Sequence, residues 1–264
     1  MSLVFAAITP HPPLLIPTIG KDAIKKLKKT KEAMEKLEED LYIAKPDTIL
    51  IISPHGTLFP DAFVLNTMPE YETDFREFGD LSTKIKLKGD MGLAAKVHNV
   101  CGSSVDCPTT MISESNLDHG AGVPLVFLTP HLPNIKILPI GFSNLDWKKH
   151  VEFGYFIKDQ IMDYDKRVAV IASGDLSHAL TSDAPAGFNA AGPEFDKKIQ
   201  ELLANGNGSG MLQLDPTRVE AASECGLRSL LILMGVLKGI NYSYKSYSYE
   251  SPFGVGYLVA NLVI

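Results

Sequence analysis

The chain is poor in several things, and each scarcity removes a class of protein. Only three of its 264 residues are cysteines (Cys101, Cys107 and Cys225). They are odd in number and none stands in C-x-x-C spacing, which excludes a disulfide scaffold and fits a reduced, cytoplasmic setting. There is no excess of positive charge: 25 basic against 31 acidic residues give a net charge of -6. A nucleic acid is therefore not an expected partner. No apolar run approaches the roughly 20 residues needed to cross a bilayer, so no membrane partner is expected. The opening Met-Ser-Leu-Val-Phe-Ala-Ala has no basic leader and soon meets Pro10, Pro12 and Pro13, which predicts a strand and not a signal peptide. The glycine-rich Gly206–Gly210 segment lacks the Lys-Ser/Thr of a phosphate loop, and H-E-x-x-H is missing as well.

What is present is an alternation of strand and helix patterns. Apolar runs at Leu3–Thr9, Thr48–Ser53, Ala62–Asn66, Thr83–Leu87, Asn134–Ile140 and Arg167–Ala172 predict strands. Helical spacing covers Lys21–Ala44, Met91–Val100, Lys148–Met162, Ala191–Ala204 and Thr217–Leu237, the last opened by Asp215 with Pro216 behind it. Two final strands, Tyr242–Tyr249 and Gly256–Val263, are close enough to form a hairpin. Interleaved strands and helices predict an α/β fold, a central mixed sheet with helices on both faces. No linker or repeat divides the chain, so residues 1–264 are expected to form a single domain.

Seven histidines are the best guide to chemistry. Two apolar runs end in Pro-His, at Pro10-His11 and Pro54-His55. A strand that ends in a metal-capable side chain is how an α/β protein lines a site at its sheet edge. His119 lies in Asp118-His119-Gly120 and His178 in Ser173-Gly174-Asp175-Leu176-Ser177-His178, both beside glycines. His98 and His150 sit at polar positions of helix patterns and are expected on the surface. His131, in a third Pro-His, is expected in a loop without a functional role. Two imidazoles and a carboxylate make a facial triad that leaves coordination positions open. Glu250, ending the Tyr242–Tyr249 run, qualifies as the carboxylate, although a plain hairpin-end charge explains it as well. Asp118 is equally readable as a helix N-cap.

Pro10-His11-Pro12-Pro13, Ser53-Pro54-His55-Gly56, Asp118-His119-Gly120 with Val123-Pro124-Leu125, and Ser173-Gly174-Asp175-Leu176-Ser177-His178 follow one another in the order of a known pattern. Across nearly the whole chain the sequence resembles the LigB-type class III extradiol dioxygenases. It is most similar to their Memo-like branch, whose microbial members are associated with the AmmeMemoRadiSam set. The resemblance implies a LigB-like fold and a non-haem Fe(II) centre. It makes His11 and His55 the ligating histidines, Glu250 the ligating carboxylate, His178 the acid/base and His119 a pocket histidine. In eukaryotic Memo proteins a cysteine replaces the carboxylate, so Glu250 implies the dioxygenase-type ligand set.

The implied reaction is ring opening of a catechol-like small molecule with O₂. A neutral histidine suits the proton transfers of such a reaction, and Asp118 and Asp175 are placed to orient neighbouring histidines. Two alternatives stay open. One is a Memo-like metal- or ligand-binding protein that acts through a partner without ring cleavage. The other is a zinc hydrolase, since the same donors also hold catalytic Zn(II). Assembly into a homo-oligomer is compatible with any of the three.

Overall fold

The structure, a computed structural model, describes residues 2–102, 104 and 107–264. Its strands are β1 (Leu3–Thr9), β2 (Thr48–Ser53), β3 (Phe63–Asn66), β4 (Glu70–Thr73), β5 (Lys86–Gly89), β6 (Thr109–Ile112), β7 (Asn116–Leu117), β8 (Lys136–Gly141), β9 (Val168–Ser173), β10 (Ser243–Glu250) and β11 (Tyr257–Val263). Among the described residues they form one sheet in the order β10-β11-β1-β9-β2-β8-β5-β4-β7, with β3 joining β8 and β6 joining β3. Its centre is parallel: β9 lies between β1 and β2, and β8 follows β2. The β10–β11 hairpin adds to β1 antiparallel, as the closing strand pattern predicts. The sheet is therefore mixed.

The helices are α1 (Pro17–Gly20), α2 (Lys28–Ala44), α3 (Met91–Cys101), α4 (His119–Leu128), α5 (Trp147–Met162), α6 (Ala191–Ala204), α7 (Pro216–Ala222) and α8 (Leu227–Val236). They cover both faces of the sheet, and β2 shows why. Its side chains alternate, so Ile49 and Ile51 join Met34, Leu37 and Leu125 of α2 and α4 on one face. Leu50 and Ile52 meet Phe153, Ile157, Leu230 and Leu231 of α5 and α8 on the other. A central strand buried on both sides has no polar alternation, which accounts for the unbroken apolar run Thr-Ile-Leu-Ile-Ile-Ser.

Several boundaries differ from expectation, each for a local reason. Lys21–Ala44 is not one helix: Lys21–Leu27 is a 3₁₀ segment and the α-helix begins at Lys28. Thr217–Leu237 is two helices, broken at Ser223, whose φ of 52° is left-handed, and resumed at Leu227 after Gly226. The strand expected at Thr83–Leu87 lies at Lys86–Gly89, paired with a strand at Glu70–Thr73 that apolar periodicity does not reveal. His150 is a correction of another kind, because it is fully buried. Its ring nitrogens lie 2.8 Å from the Asp146 carbonyl and 3.1 Å from that of Ser143, and its edge faces Phe63. His131 is exposed, as its loop position predicts, and pairs with Glu38 at 2.9 Å. Cys101 and Cys107 are buried side by side, with sulfurs 2.6 Å apart.

Candidate metal centre

Three parallel strands deliver the site. β1, β9 and β2 are neighbours, and the segments that leave their carboxyl ends carry His11, Asp175–His178 and His55 respectively. The apolar strands are held on both faces, so the residues just beyond them inherit a fixed position.

His11 is buried at the centre. Its backbone N–H donates to Asp175 Oδ1 at 2.9 Å, and its ring Nδ1 lies 2.9 Å from Ser173 Oγ. The Ser173 hydroxyl in turn donates to the Gly120 carbonyl at 2.5 Å. Nε2 points the other way, to within 3.0 Å of His55 Nε2 and 3.5 Å of Cys225 Sγ. His55 follows Ser53, whose hydroxyl donates to Asp118, while the His55 N–H donates to Ser53 Oγ at 3.3 Å. Two nitrogens bound at right angles to one ion, each about 2.0–2.1 Å away, stand about 2.9 Å apart, so the His11–His55 spacing fits a shared cation.

The third converging donor is Cys225, not Glu250. His11, His55 and Cys225 each offer one ligand atom, and these lie within 4.8 Å of one another. Cys225 sits in the break between α7 and α8, its Sγ accepting from the Asp175 N–H at 3.3 Å. Glu250 is corrected to a structural role. Its Oε1 accepts from both the N–H and the hydroxyl of Thr30, each at 2.7 Å. Thr30 is in the first turn of α2, where backbone N–H groups lack helical partners and an anion is favoured. The carboxylate therefore caps α2 and is absent from the histidine cluster. The sequence signal for Cys225 is weak: a glycine beside it, in the middle of an otherwise continuous helical pattern.

The remaining expected residues surround this centre. His119 opens α4 and stacks on His55, with ring centroids 4.2 Å apart, while its edge meets Phe78 at 5.1 Å. Its Nδ1 is 3.6 Å from Glu77 Oε1. Asp118 is the α4 N-cap, accepting from Ala121 N–H at 3.1 Å. The same carboxylate takes the Ser53 proton, so it both caps the helix and ties down the segment that carries His55. His178 donates from Nδ1 to the Ser223 carbonyl at 2.7 Å. That fixes the neutral ring with a bare Nε2, which lies 4.0 Å from Asp175 Oδ2. Asp175, His178 and Cys225 form a second convergent trio.

Burial dominates the electrostatics. It holds the His11 imidazole well below its ordinary value of 6.5, with His55, His119 and His178 adding to the effect, and it brings His55 down to about 4. His119 and His178 are lowered by the same cause. Burial pushes the Asp175 carboxyl up to about 7 and the Cys225 thiol well above 9, the latter also repelled by Asp175. The metal-free cluster is thus a set of neutral imidazoles and a protonated thiol, and binding a cation releases the thiol proton. Two imidazoles and a thiol suit a first-row transition metal and do not suit Mg²⁺ or Ca²⁺. The residues present therefore fit the implied iron.

Outside the cluster opens a cleft of about 830 Å³ whose walls include His55, Thr57, Glu77, Glu114 and Asp118. Its one arginine, Arg76, is forked onto Asp74. The walls are consequently acidic.

Comparison with known proteins agrees with this architecture. The family described as the catalytic LigB subunit of aromatic ring-opening dioxygenase matches residues 5–260. A protein of Clostridium acetobutylicum is 34% identical over 99% of the chain, which spans only 58% of that relative's length. The 3,4-dihydroxyphenylacetate 2,3-dioxygenase of Escherichia coli is 26% identical, covering 78% of this chain and 79% of its own. A crystal structure of an uncharacterized protein from Escherichia coli K12 superposes with a TM-score of 0.68 at 15% identity, over 98% of this chain and 99% of that one.

Proposed function

The chain belongs to the LigB family of catalytic subunits of aromatic ring-opening dioxygenases, and from that premise we propose that it is a non-haem Fe(II) oxygenase acting on a small catechol-like substrate with O₂. In this reading residues 1–264 work as one catalytic domain in the cytoplasm. His11, His55 and Cys225 hold the iron, with the thiolate in place of the carboxylate that the sequence suggests. The observation that carries the proposal is the convergence of these three donor atoms, one of which, on His55, belongs to a residue that also lines a cleft large enough for a single aromatic ring. Bound there, Fe(II) supplies Lewis acidity and open positions for a catechol and O₂ together.

The chain's own residues then have separable roles. His178 accepts the proton of a substrate hydroxyl at Nε2, the nitrogen left bare by the Ser223 carbonyl. Asp175, its carboxyl raised to about 7, faces that nitrogen, and its ionised form balances the charge the ring gains. His119 offers a flat face beside His55 against which a ring is oriented. The acidic cleft walls favour an amine-bearing catechol over one that carries a carboxylate.

Anaerobic reconstitution with Fe(II), followed by O₂ uptake with a panel of catechols, tests the proposal. Dopamine is expected to outpace 3,4-dihydroxyphenylacetate, and His178→Gln to lower uptake by about 10²–10⁴-fold with iron still bound. Absence of uptake with every catechol at one iron per chain rejects ring opening. Cys225 favours a second reading in that event, a thiolate-containing metal-binding protein that acts through a partner.

A further inference from the structure

Pro124 lies inside α4, four residues beyond Gly120. In an α-helix the carbonyl of residue 120 is served by the N–H of residue 124. Proline has no N–H, so this carbonyl needs a donor from outside the helix. Ser173, at the end of β9, supplies it at 2.5 Å. A serine hydroxyl has one proton to give. Once it is committed to Gly120, only lone pairs face His11 Nδ1, 2.9 Å away. The imidazole nitrogen must then carry the hydrogen and donate it. In the neutral ring this leaves Nε2 bare, aimed at His55 Nε2 and Cys225 Sγ. The 3.0 Å contact with His55 agrees, because it requires one of the two nitrogens to be an acceptor.

We propose that Pro124 and Ser173 are positioning residues that select the His11 tautomer able to ligate a metal through Nε2. The inference rests on the reading of His11 as a ligand. It gives the in-helix proline a chemical role. The proline withholds one N–H, which redirects one hydroxyl, which orients one imidazole. The other strand-end serine, Ser53, provides the control. Its hydroxyl donates to Asp118 and accepts from the backbone N–H of His55, and touches no ring nitrogen of His11.

The test uses the ¹⁵N-labelled full chain without metal, with long-range ¹H–¹⁵N correlation reporting which ring nitrogen is protonated. Wild type and Ser53→Ala are expected to show His11 protonated at Nδ1. Ser173→Ala removes the acceptor. Pro124→Ala gives Gly120 its helical N–H and frees Ser173 to donate to Nδ1. Both variants are expected to move the proton toward Nε2 and to weaken Fe(II) binding, measured anaerobically, by about 10–100-fold. Ser173→Thr, which keeps the hydroxyl, restores both. Far-UV spectra and melting curves confirm that each variant is folded. Retention of the Nδ1 proton in both Ser173→Ala and Pro124→Ala overturns the proposal. Fe(II) affinity unchanged in Ser173→Ala and in His11→Ala alike overturns the ligand reading, and the ring spectra still decide the role of Ser173.

Discussion

Cys225→Ser is expected to weaken Fe(II) binding by on the order of 10²–10³-fold, while Glu250→Ala leaves it within about threefold of wild type. The contrast follows from where the two side chains are. Cys225 Sγ shares a 4.8 Å cluster with the Nε2 atoms of His11 and His55. A serine hydroxyl there is a poorer donor, since it stays protonated where a thiol ionises on a metal. Glu250 is occupied with Thr30, so its loss exposes the first turn of α2. That costs about 1–2 kcal/mol of stability, the usual worth of a helix cap, and lowers the melting temperature without touching the metal. Anaerobic metal titration and thermal melts of the two variants read out both halves. If Glu250→Ala lost iron and Cys225→Ser kept it, the assignment of the third ligand would be reversed.

The second large effect is a pH dependence. Asp175 is buried and its carboxyl is raised from 3.8 to about 7. Between those values the folded chain holds a proton that the unfolded chain has lost, so this group stabilises the fold at low pH. The contribution disappears as pH rises through 7. Asp175→Asn removes the titration. Relative to wild type, the metal-free variant should therefore gain about 2–3 kcal/mol between pH 5 and pH 8. The buried histidines, lowered by the same desolvation, act in the opposite direction. His55 and His119 are common to both proteins, whereas His11 and His178 touch Asp175, so the double variant Asp175→Asn with His178→Gln separates their share. Urea unfolding at the two pH values measures it. A difference that does not change with pH would mean that Asp175 is already ionised at pH 5.

Much of this site is legible in the sequence because it sits where periodicity is strongest. β1, β2 and β9 are continuous apolar runs, so their ends, and hence His11, His55 and the Asp175–His178 segment, are marked by the change to proline, glycine and polar residues. The order of the strands is another matter. Nothing local tells β9 to insert between β1 and β2, because that choice is made by long-range packing. Cys225 is hidden for a related reason. The residues around it keep helical spacing on both sides, and only the left-handed turn at Ser223 interrupts it. Glu250 misleads because a strand-end carboxylate looks the same in sequence whether it meets a metal or a helix N-terminus. His150 shows the same limit, since flanking lysines suggest solvent while the ring itself is sealed against Phe63.

The three converging donors come from positions 11, 55 and 225, so the closest pair is 44 residues apart and the widest is 214 apart. No fragment that ends before Cys225 can offer the set, and an unfolded chain meets it only by closing two long loops at once. On the proposed ligand set, metal loading would be a late event that waits for the segment between α7 and α8 to dock against β1 and β2. By mass action, a free metal concentration 100 times the dissociation constant adds about 2.7 kcal/mol to global stability. The ion would act as a fastener between the first strand of the chain and its last pair of helices, and chelation should loosen both ends together.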